Sequence, residues 1–335
     1  MNSYRNQLKV FSGKNNTSFA EKICNHLFIK PGEIYHHNFP SGETYCQFKE
    51  NIRGSDLFLI SCKGNNSNES LIELLVMADA ARRASADRIT AIVPFFYYSR
   101  QDRKEKSRVP ITAKLVLDLF EASGIDRVVT MDLHSPQVGG FTNLPFDHLT
   151  FEPILVEHIK SLNLNTSEMI VMAPDVGAVK RAERYASYLK CDFGFISKKR
   201  VGDEQVELQS LSGDVKDKVV FIIDDLTESC GTLIQAADAC KKNGAKKTVC
   251  AVTHGCFTET GTNRLSAAMP HNNVLDKTAI IDEFIHSNSV SNNNWNLWSK
   301  PSDRPENINV LDVSNLFAKA INSIHNNESV SELFV

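Results

Sequence analysis

Short apolar runs rich in β-branched and aromatic residues alternate with longer segments of helical periodicity along most of this chain. In its first half, the runs 57–62, 89–94 and 128–132 are separated by helical patterns over 70–85 and 112–123. Strands that alternate with helices of this length form βαβ units, in which the strands are parallel. The first half is therefore predicted to fold as an α/β domain.

The same alternation recurs in the second half. There the runs 169–173, 219–225 and 248–253 are separated by helical patterns over 178–189 and 232–243. The repetition of the pattern predicts a second α/β domain similar to the first.

The length of 335 residues suits two domains, at roughly 150 residues for each. We expect the first domain to cover residues 1–150 and the second to cover residues 151–310. A final helical pattern lies within residues 311–335, and we expect that helix to pack back on the first domain.

Composition narrows the class of protein. Hydrophobic residues make up 42% of the chain and charged residues 23%, which excludes wholesale disorder and rod-like repeats. The net charge of −3 provides no positive field for a nucleic-acid partner. The polar N-terminal segment and the lack of long apolar stretches predict a cytoplasmic protein that does not contact membranes. The eight cysteines show no zinc-type spacing, which favours reduced thiols.

An acidic pair, Asp224 and Asp225, stands at the end of an apolar run. A short loop and the start of a helical pattern follow, with the residues Glu228, Ser229, Cys230, Gly231 and Thr232. Ligands of an open α/β sheet bind at the carboxyl ends of its strands. Backbone N–H groups at a helix N-terminus can hold a phosphate, and carboxylates suit sugar hydroxyls or a hydrated Mg²⁺. The alternative interpretation is an ordinary capped helix after a strand.

Two motifs in the first half suit a nucleotide. Phe39 stands beside a glycine turn and Glu43, so its ring can stack on a purine while Glu43 or a nearby backbone group contacts the base edge. Residues 100–104 form a dense cationic loop, and arginine forks suit nucleotide phosphates. The alternatives are a core phenylalanine and a solvated basic surface.

His134 and Asp175 each follow a predicted strand, one in each half of the chain. A histidine and a carboxylate can contribute to a site for a hard cation that takes its other ligands from phosphate groups and water. The alternative for His134 is a hydrogen-bonded structural histidine.

Lys198 and Arg200 follow a β-rich run over 193–197 and precede a polar stretch over 201–205, which suits a mobile lid. Transfer of a phosphoryl-type group leaves the protein mainly the task of neutralising charge, which cationic side chains can perform. The alternative is an exposed basic turn.

The run 219–233 resembles the phosphoribosyl-pyrophosphate signature of the phosphoribosyltransferase superfold. Further segments resemble the ribose-phosphate pyrophosphokinase family, also called phosphoribosyl-pyrophosphate synthetases: 39–43, 99–104, 107–114, 131–135 and 328–331. The resemblance implies two similar phosphoribosyltransferase-type domains, each a mostly parallel sheet flanked by helices. It also implies an ATP-dependent transfer of diphosphate to the 1-hydroxyl of ribose 5-phosphate. The products would be AMP and 5-phosphoribosyl 1-diphosphate, a precursor for nucleotide biosynthesis.

The resemblance further implies roles for individual residues. ATP binding falls to Phe39, Ser41, Gly42, Glu43, Arg100 and Gln101. Ribose 5-phosphate binding falls to Arg200, Asp224, Asp225, Glu228, Ser229, Cys230, Gly231 and Thr232. The pyrophosphate loop is Asp175, Val176, Gly177 and Ala178; the catalytic residues are Lys198 and Arg200; the Mg²⁺ ligands are His134 and Asp175. A homo-oligomer built from dimers, as large as a hexamer, is implied as well, with part of the ATP site supplied across an interface.

Some positions depart from the family pattern. Glu228 and Ser229 replace an Asp-Thr pair, Ala178 replaces a glycine, and Ser41 stands where Asp or Asn is common. If Ala178 adopts a positive φ, its side chain is strained. A catalytically silent regulatory subunit is therefore an alternative function. A phosphoribosyltransferase is a third, although it would not need the nucleotide motifs of the first half.

Overall fold

The computed structural model of the chain describes residues 6–64, 66–201, 205–270, 279–290, 305 and 307–334. The described residues form two compact units. The first lies within Met1–Thr150, Asn288–Asn293 and Asp312–Val335, and the second within Phe151–Ser287 and Asn294–Leu311.

The first unit contains a parallel sheet and a separate hairpin. Its strands are β1 (Leu8–Ser12), β2 (Ile34–Asn38), β3 (Thr44–Phe48), β4 (Asp56–Ile60), β5 (Arg88–Ile92), β6 (Arg127–Met131) and β7 (Phe146–Leu149). Its helices up to that point are α1 (Thr17–Leu27), α2 (Ser67–Arg83) and α3 (Thr112–Ser123). The sheet order is β1-β4-β5-β6-β7 with parallel neighbours throughout, while β2 and β3 pair antiparallel.

The second unit is built on a larger sheet. Its strands are β8 (Met169–Ala173), β9 (Asp192–Val201), β10 (Gln205–Ser212), β11 (Val219–Thr227), β12 (Lys247–Gly255), β13 (Glu283–Ser287) and β14 (Ile308–Leu311). Its helices are α4 (Glu152–Ser161), α5 (Val179–Leu189), α6 (Gly231–Lys242) and α7 (Glu259–Ala268). The order is β10-β9-β8-β11-β12-β13-β14, and β9 with β10 is the antiparallel pair.

The cores of both units are formed by the central parallel strands. Every residue of β4 and of β8 is buried, because helices cover both faces of such sheets. These strands therefore read as continuous apolar runs in the sequence. The predicted α/β class, with two mostly parallel sheets flanked by helices, is confirmed.

The C-terminal helix α8 (Ser314–His325) lies in the first unit. Its Phe317 ring packs edge to face on Phe19 of α1, with the centroids 5.8 Å apart. At the end of the helix, His325 Nδ1 lies 2.7 Å from Oδ2 of the buried Asp56. Within the described part of the chain, no helix is long and apolar enough to cross a membrane.

Candidate active site

The acidic pair lies where β11 extends beyond its neighbour. β11 pairs with β8 only as far as Ile222, while its pairing with β12 continues to Thr227. Asp224 and Asp225 therefore stand at the carboxyl edge of the sheet, where ligands of parallel sheets bind. The sequence prediction of a strand that carries both carboxylates to this edge is matched by the backbone.

Arg181 of α5 contacts both carboxylates. Its Nη1 atom lies 2.9 Å from Asp224 Oδ1 and 3.4 Å from Asp225 Oδ1. Burial, and then the charge of Asp225, raise the pKa of Asp224 to about 8, while Arg181 acts in the opposite direction. The carboxyl group of Asp224 is therefore protonated at neutral pH when no ligand is bound.

The loop after the pair presents unpaired backbone donors. Cys230 precedes α6 in the left-handed conformation, with φ 58°, and its N–H donates to Thr227 Oγ1 at 3.2 Å. α6 begins at Gly231, and the N–H groups of Gly231, Thr232 and Leu233 donate to no acceptor within the described chain. Such donors at a helix N-terminus suit a phosphate.

The residue with positive φ in this loop is thus Cys230, and Gly231 is the first helical residue. Cys230 is buried, and burial raises the pKa of its thiol to about 11. The thiol therefore remains neutral and acts as a small apolar group at this turn.

A second segment, which the sequence analysis missed, supports the backbone of this loop. It lies at the start of α7. Thr258 donates from its N–H and its hydroxyl to the carbonyl oxygen of Glu228, at 3.1 and 3.2 Å. A Cβ atom on Gly261 would lie 2.0 Å from the same oxygen. Only the start of α7 could have been predicted, from Thr258 followed by Glu259, because the contact with Glu228 is tertiary.

The candidate pyrophosphate loop is a short 3-10 turn, Val176–Ala178, between β8 and α5. The carboxylate of Asp175 accepts a hydrogen bond from the Ala178 N–H at 3.3 Å. Ala178 has φ −89° and is buried, so the condition for a strained left-handed alanine is not met. The Asp175 carboxylate caps this turn, and the backbone continues from the turn directly into the right-handed helix α5. The N–H groups of Val176 and Gly177 have no acceptor in the described chain.

The candidate metal ligands belong to different units. His134 is exposed just after β6, and the preceding residue, Leu133, donates its N–H to His148 Nε2 at 2.8 Å. Sequence reasoning missed His148. One Asp175 oxygen caps Ala178, and the other accepts no hydrogen bond from the described residues. A free carboxylate oxygen fits a hard cation that takes its other ligands from phosphates and water.

Most candidate ATP-binding residues lie on what we call the aromatic hairpin, formed by β2, β3 and the turn Phe39–Glu43. Phe39 is 47% exposed, which argues against the core alternative, and its ring contacts His37 and Tyr45 edge to face. Gly42 has φ 90°, and the Ser41 hydroxyl donates to Glu43 Oε2 at 2.8 Å.

The remaining candidates, Arg100 and Gln101, do not follow a strand directly. β5 ends at Ile92, and the intervening residues include the buried rings Phe96 and Tyr97. Gln101 contacts the start of α3, where its main-chain carbonyl oxygen accepts a hydrogen bond from the N–H of Ala113 at 3.1 Å. Both side chains are exposed.

Lys198 and Arg200 lie in β9, where their backbones pair with Leu208 and Val206 of β10. The β-rich run is therefore longer than predicted. The side chains of Lys198 and Arg200 lie outside the described residues, as do residues 202–204 of the predicted lid.

A parallel sheet with an acidic strand end, followed by a loop of unpaired amide donors, defines a phosphoribosyltransferase-type domain, and the second unit belongs to this class. Residues 151–288 match the family model of the phosphoribosyl transferase domain. Residues 8–124 match the N-terminal domain of ribose phosphate pyrophosphokinase.

Full-length relatives agree with these matches. The ribose-phosphate pyrophosphokinase of Clostridium acetobutylicum is 39% identical, with 100% of this chain and 99% of the relative covered. That of Thermotoga maritima is 38% identical, with 99% of each chain covered. The crystal structure of phosphoribosylpyrophosphate synthetase from Mycobacterium smegmatis superposes with a TM-score of 0.84 at 32% identity, covering 96% of this chain and 99% of that one.

The chain belongs to the ribose-phosphate pyrophosphokinase family, a family of transferases. The family, the fold and the transferase class predicted from the sequence are thereby confirmed.

Proposed function

We propose that this chain transfers the diphosphate group of ATP to the 1-hydroxyl of ribose 5-phosphate. A bond forms between the sugar O1 and the β-phosphorus, and the bond from that phosphorus to the oxygen bridging the α-phosphate breaks. AMP leaves with the bridging oxygen, the hydroxyl proton is released, and 5-phosphoribosyl 1-diphosphate is formed. The observation that carries the proposal is the acidic pair followed by unpaired amides at the start of α6, in a chain of this family.

The sugar phosphate is assigned to the loop. The N–H groups of Gly231, Thr232 and Leu233 are donors for the 5-phosphate, and the exposed Ser229 hydroxyl adds another. The carboxylates of Asp224 and Asp225 accept hydrogen bonds from the ribose hydroxyls. Fixing both ends of the sugar orients its 1-hydroxyl, and orientation is a large part of such catalysis.

ATP is assigned to the first unit. The exposed ring of Phe39 offers a stacking face for adenine, and Glu43, held by Ser41, is an acceptor for the base edge. Arg100 and Gln101 are proposed to contact its phosphates.

His134 and Asp175 would hold Mg²⁺, which neutralises the phosphates of ATP when it is bound. The unpaired amides of Val176 and Gly177 are donors for the diphosphate. Lys198 and Arg200 are proposed to stabilise the charge that develops on the transferring group.

A homo-oligomer is also proposed, because exposed rings on the aromatic hairpin offer a surface for a second copy of the chain. Phe39, Tyr35 and Tyr45 are 47%, 47% and 40% exposed. Light scattering after gel filtration tests this proposal, and a monomer at micromolar concentration would contradict it.

The catalytic proposal is tested by incubating the purified chain with ATP, Mg²⁺ and ribose 5-phosphate and measuring AMP. We expect AMP only when all three are present. ATP binding without AMP formation would favour the silent regulatory subunit, for which Glu228 remains the main sequence argument. The right-handed backbone of Ala178 removes the argument from that position. Consumption of 5-phosphoribosyl 1-diphosphate with a nucleobase would favour a phosphoribosyltransferase.

A further inference from the structure

Arg181 lies at the centre of the second unit's candidate site, although no motif assigned it a role. It follows the pyrophosphate loop on the first turn of α5. Its side chain is 22% exposed and contacts both carboxylates of the acidic pair through Nη1. Arg181 and Asp224 are 43 positions apart in the sequence.

This convergence does not follow from strand geometry. Consecutive side chains of a strand point to opposite faces of a sheet. Asp224 and Asp225 nevertheless both reach one nitrogen atom, and the N–H of Asp225 donates to Asp224 Oδ1 at 3.0 Å. The arginine contact and this backbone contact together hold the two carboxylates next to the same guanidinium nitrogen.

The contacts on Asp224 are asymmetric. Oδ1 accepts both from the Asp225 N–H and from Arg181, whereas Oδ2 accepts from no donor in the described chain. The side chain is 17% exposed, so it is not sealed from a ligand. Two donors on one oxygen orient the carboxylate and leave the other oxygen for a hydroxyl group.

Charge gives the contact a second effect. Two neighbouring carboxylates that are largely buried repel each other, and a cation between them lowers that repulsion. Carboxyl oxygens beside a single guanidinium can still accept hydrogen bonds from donors such as sugar hydroxyls.

We infer that Arg181 is a positioning residue for the sugar: it holds Asp224 and Asp225 in the arrangement that accepts the ribose hydroxyls. The inference rests on the proposed function, because it takes ribose 5-phosphate as the ligand of this loop. It adds a residue outside the motif and assigns it to the hydroxyl end of the sugar rather than to ATP.

An arginine suits this position better than a lysine. The guanidinium is planar and rigid, so one nitrogen is held between two acceptors, whereas the lysine ammonium is a flexible point charge. Lys at position 181 would keep the charge and lose part of the orientation. Gln would lose the charge as well.

The experiment compares R181K and R181Q with the matched control R184Q in the full-length chain. Arg184 lies on the same helix, is 54% exposed and pairs with Glu152. Ribose 5-phosphate and ATP are each titrated by calorimetry, and circular dichroism verifies folding. We expect R181Q to bind ribose 5-phosphate at least about tenfold more weakly, the scale of one charge-assisted hydrogen bond. R181K should be intermediate, R184Q unchanged, and ATP affinity within about threefold in all variants.

A double-mutant cycle with D224N separates positioning from general structural support. If Arg181 acts through the acidic pair, R181Q costs less sugar affinity in the D224N background than it does in the wild-type chain. Additive losses would overturn the inference, as would wild-type sugar affinity in a folded R181Q protein. R181K provides the same test if R181Q does not fold.

The outcomes also distinguish this inference from the proposed function. AMP formation by the wild type together with unchanged sugar affinity in R181Q defeats the inference alone. Wild-type sugar binding without AMP formation defeats the proposed reaction, while the affinities of the variants still decide the role of Arg181. A wild type that binds no ribose 5-phosphate defeats both.

Discussion

The candidate sugar-phosphate loop and the aromatic hairpin differ in how much of the fold supports them. In the second unit, Asp225 is 4% exposed, and α7 holds the loop backbone through Glu228. In the first unit, Phe39 is 47% exposed and contacts other rings of a two-stranded hairpin. Substitutions in the loop should therefore change stability and binding together, whereas substitutions on the hairpin should change binding alone.

The largest effect is expected for Lys198, which is proposed to stabilise the charge that develops on the transferring group. K198A should lower kcat by at least about a hundredfold, the scale of losing one transition-state contact, with the fold unchanged. The control K199A changes the neighbouring lysine of β9, which has no assigned role. Steady-state kinetics decide the matter, and equal kcat values for K198A and wild type would remove Lys198 from the mechanism.

The support behind the loop is tested by G261A. Its new Cβ would lie 2.0 Å from the Glu228 carbonyl oxygen, so the backbone must shift. We expect the free energy of unfolding to fall by about 1–3 kcal/mol, together with a loss of ribose 5-phosphate affinity. The control is G140A, a glycine without an assigned role, where no heavy atom beyond the adjacent residues in the described chain lies within 4 Å of the new Cβ. A G261A protein as stable as G140A would contradict the proposed support.

The buried acidic pair should make the stability of the ligand-free protein depend on pH. The pKa of Asp224 is raised from 3.8 to about 8, so the folded state binds this proton more tightly than the unfolded state does. The contribution of this group to stability is therefore present at low pH and is lost as pH rises through that window.

D224N has no such proton. As pH rises from about 5 to about 8, the free energy of unfolding of D224N should increase relative to that of wild type by at least about 1 kcal/mol. Urea unfolding across this range provides the measurement. A constant difference between the two proteins would show that the carboxyl is ionised throughout.

On the hairpin, F39A should raise the Kd for ATP about tenfold, because stacking of an aromatic side chain on a base contributes on the order of 1–3 kcal/mol. Its free energy of unfolding should change by less than about 0.5 kcal/mol, as is usual at exposed positions. L115A is the matched control, since Leu115 is 51% exposed on α3 of the same unit and has no assigned role. Calorimetry with ATP that separates neither variant from wild type would remove Phe39 from the ATP site.

The smallest effect is expected at Ala178. Because its φ is −89°, glycine relieves no strain there, and A178G should change kcat by less than about threefold. The added backbone freedom should instead reduce stability by about 0.5–1 kcal/mol. A tenfold rise in kcat would show that this residue impedes the reaction.

Local pattern was sufficient to predict the alternating strands and helices, because buried parallel strands are continuous apolar runs and surface helices repeat every 3.6 residues. The same pattern indicated that Asp224 and Asp225 stand at a strand end. It could not show which conformation Ala178 adopts, since the cap from Asp175 selects it. It also missed Arg181 and Gly261, whose contacts join distant segments.

The central claim is that the β-phosphorus of ATP is attacked by a sugar held in the second unit. ATP carrying radioactive phosphorus in its β-phosphoryl group tests this directly, with ribose 5-phosphate and Mg²⁺ present. The account predicts that the label appears in 5-phosphoribosyl 1-diphosphate and that the AMP formed is unlabelled. Label retained in ADP would contradict it, because only the γ-phosphoryl group would then have been transferred.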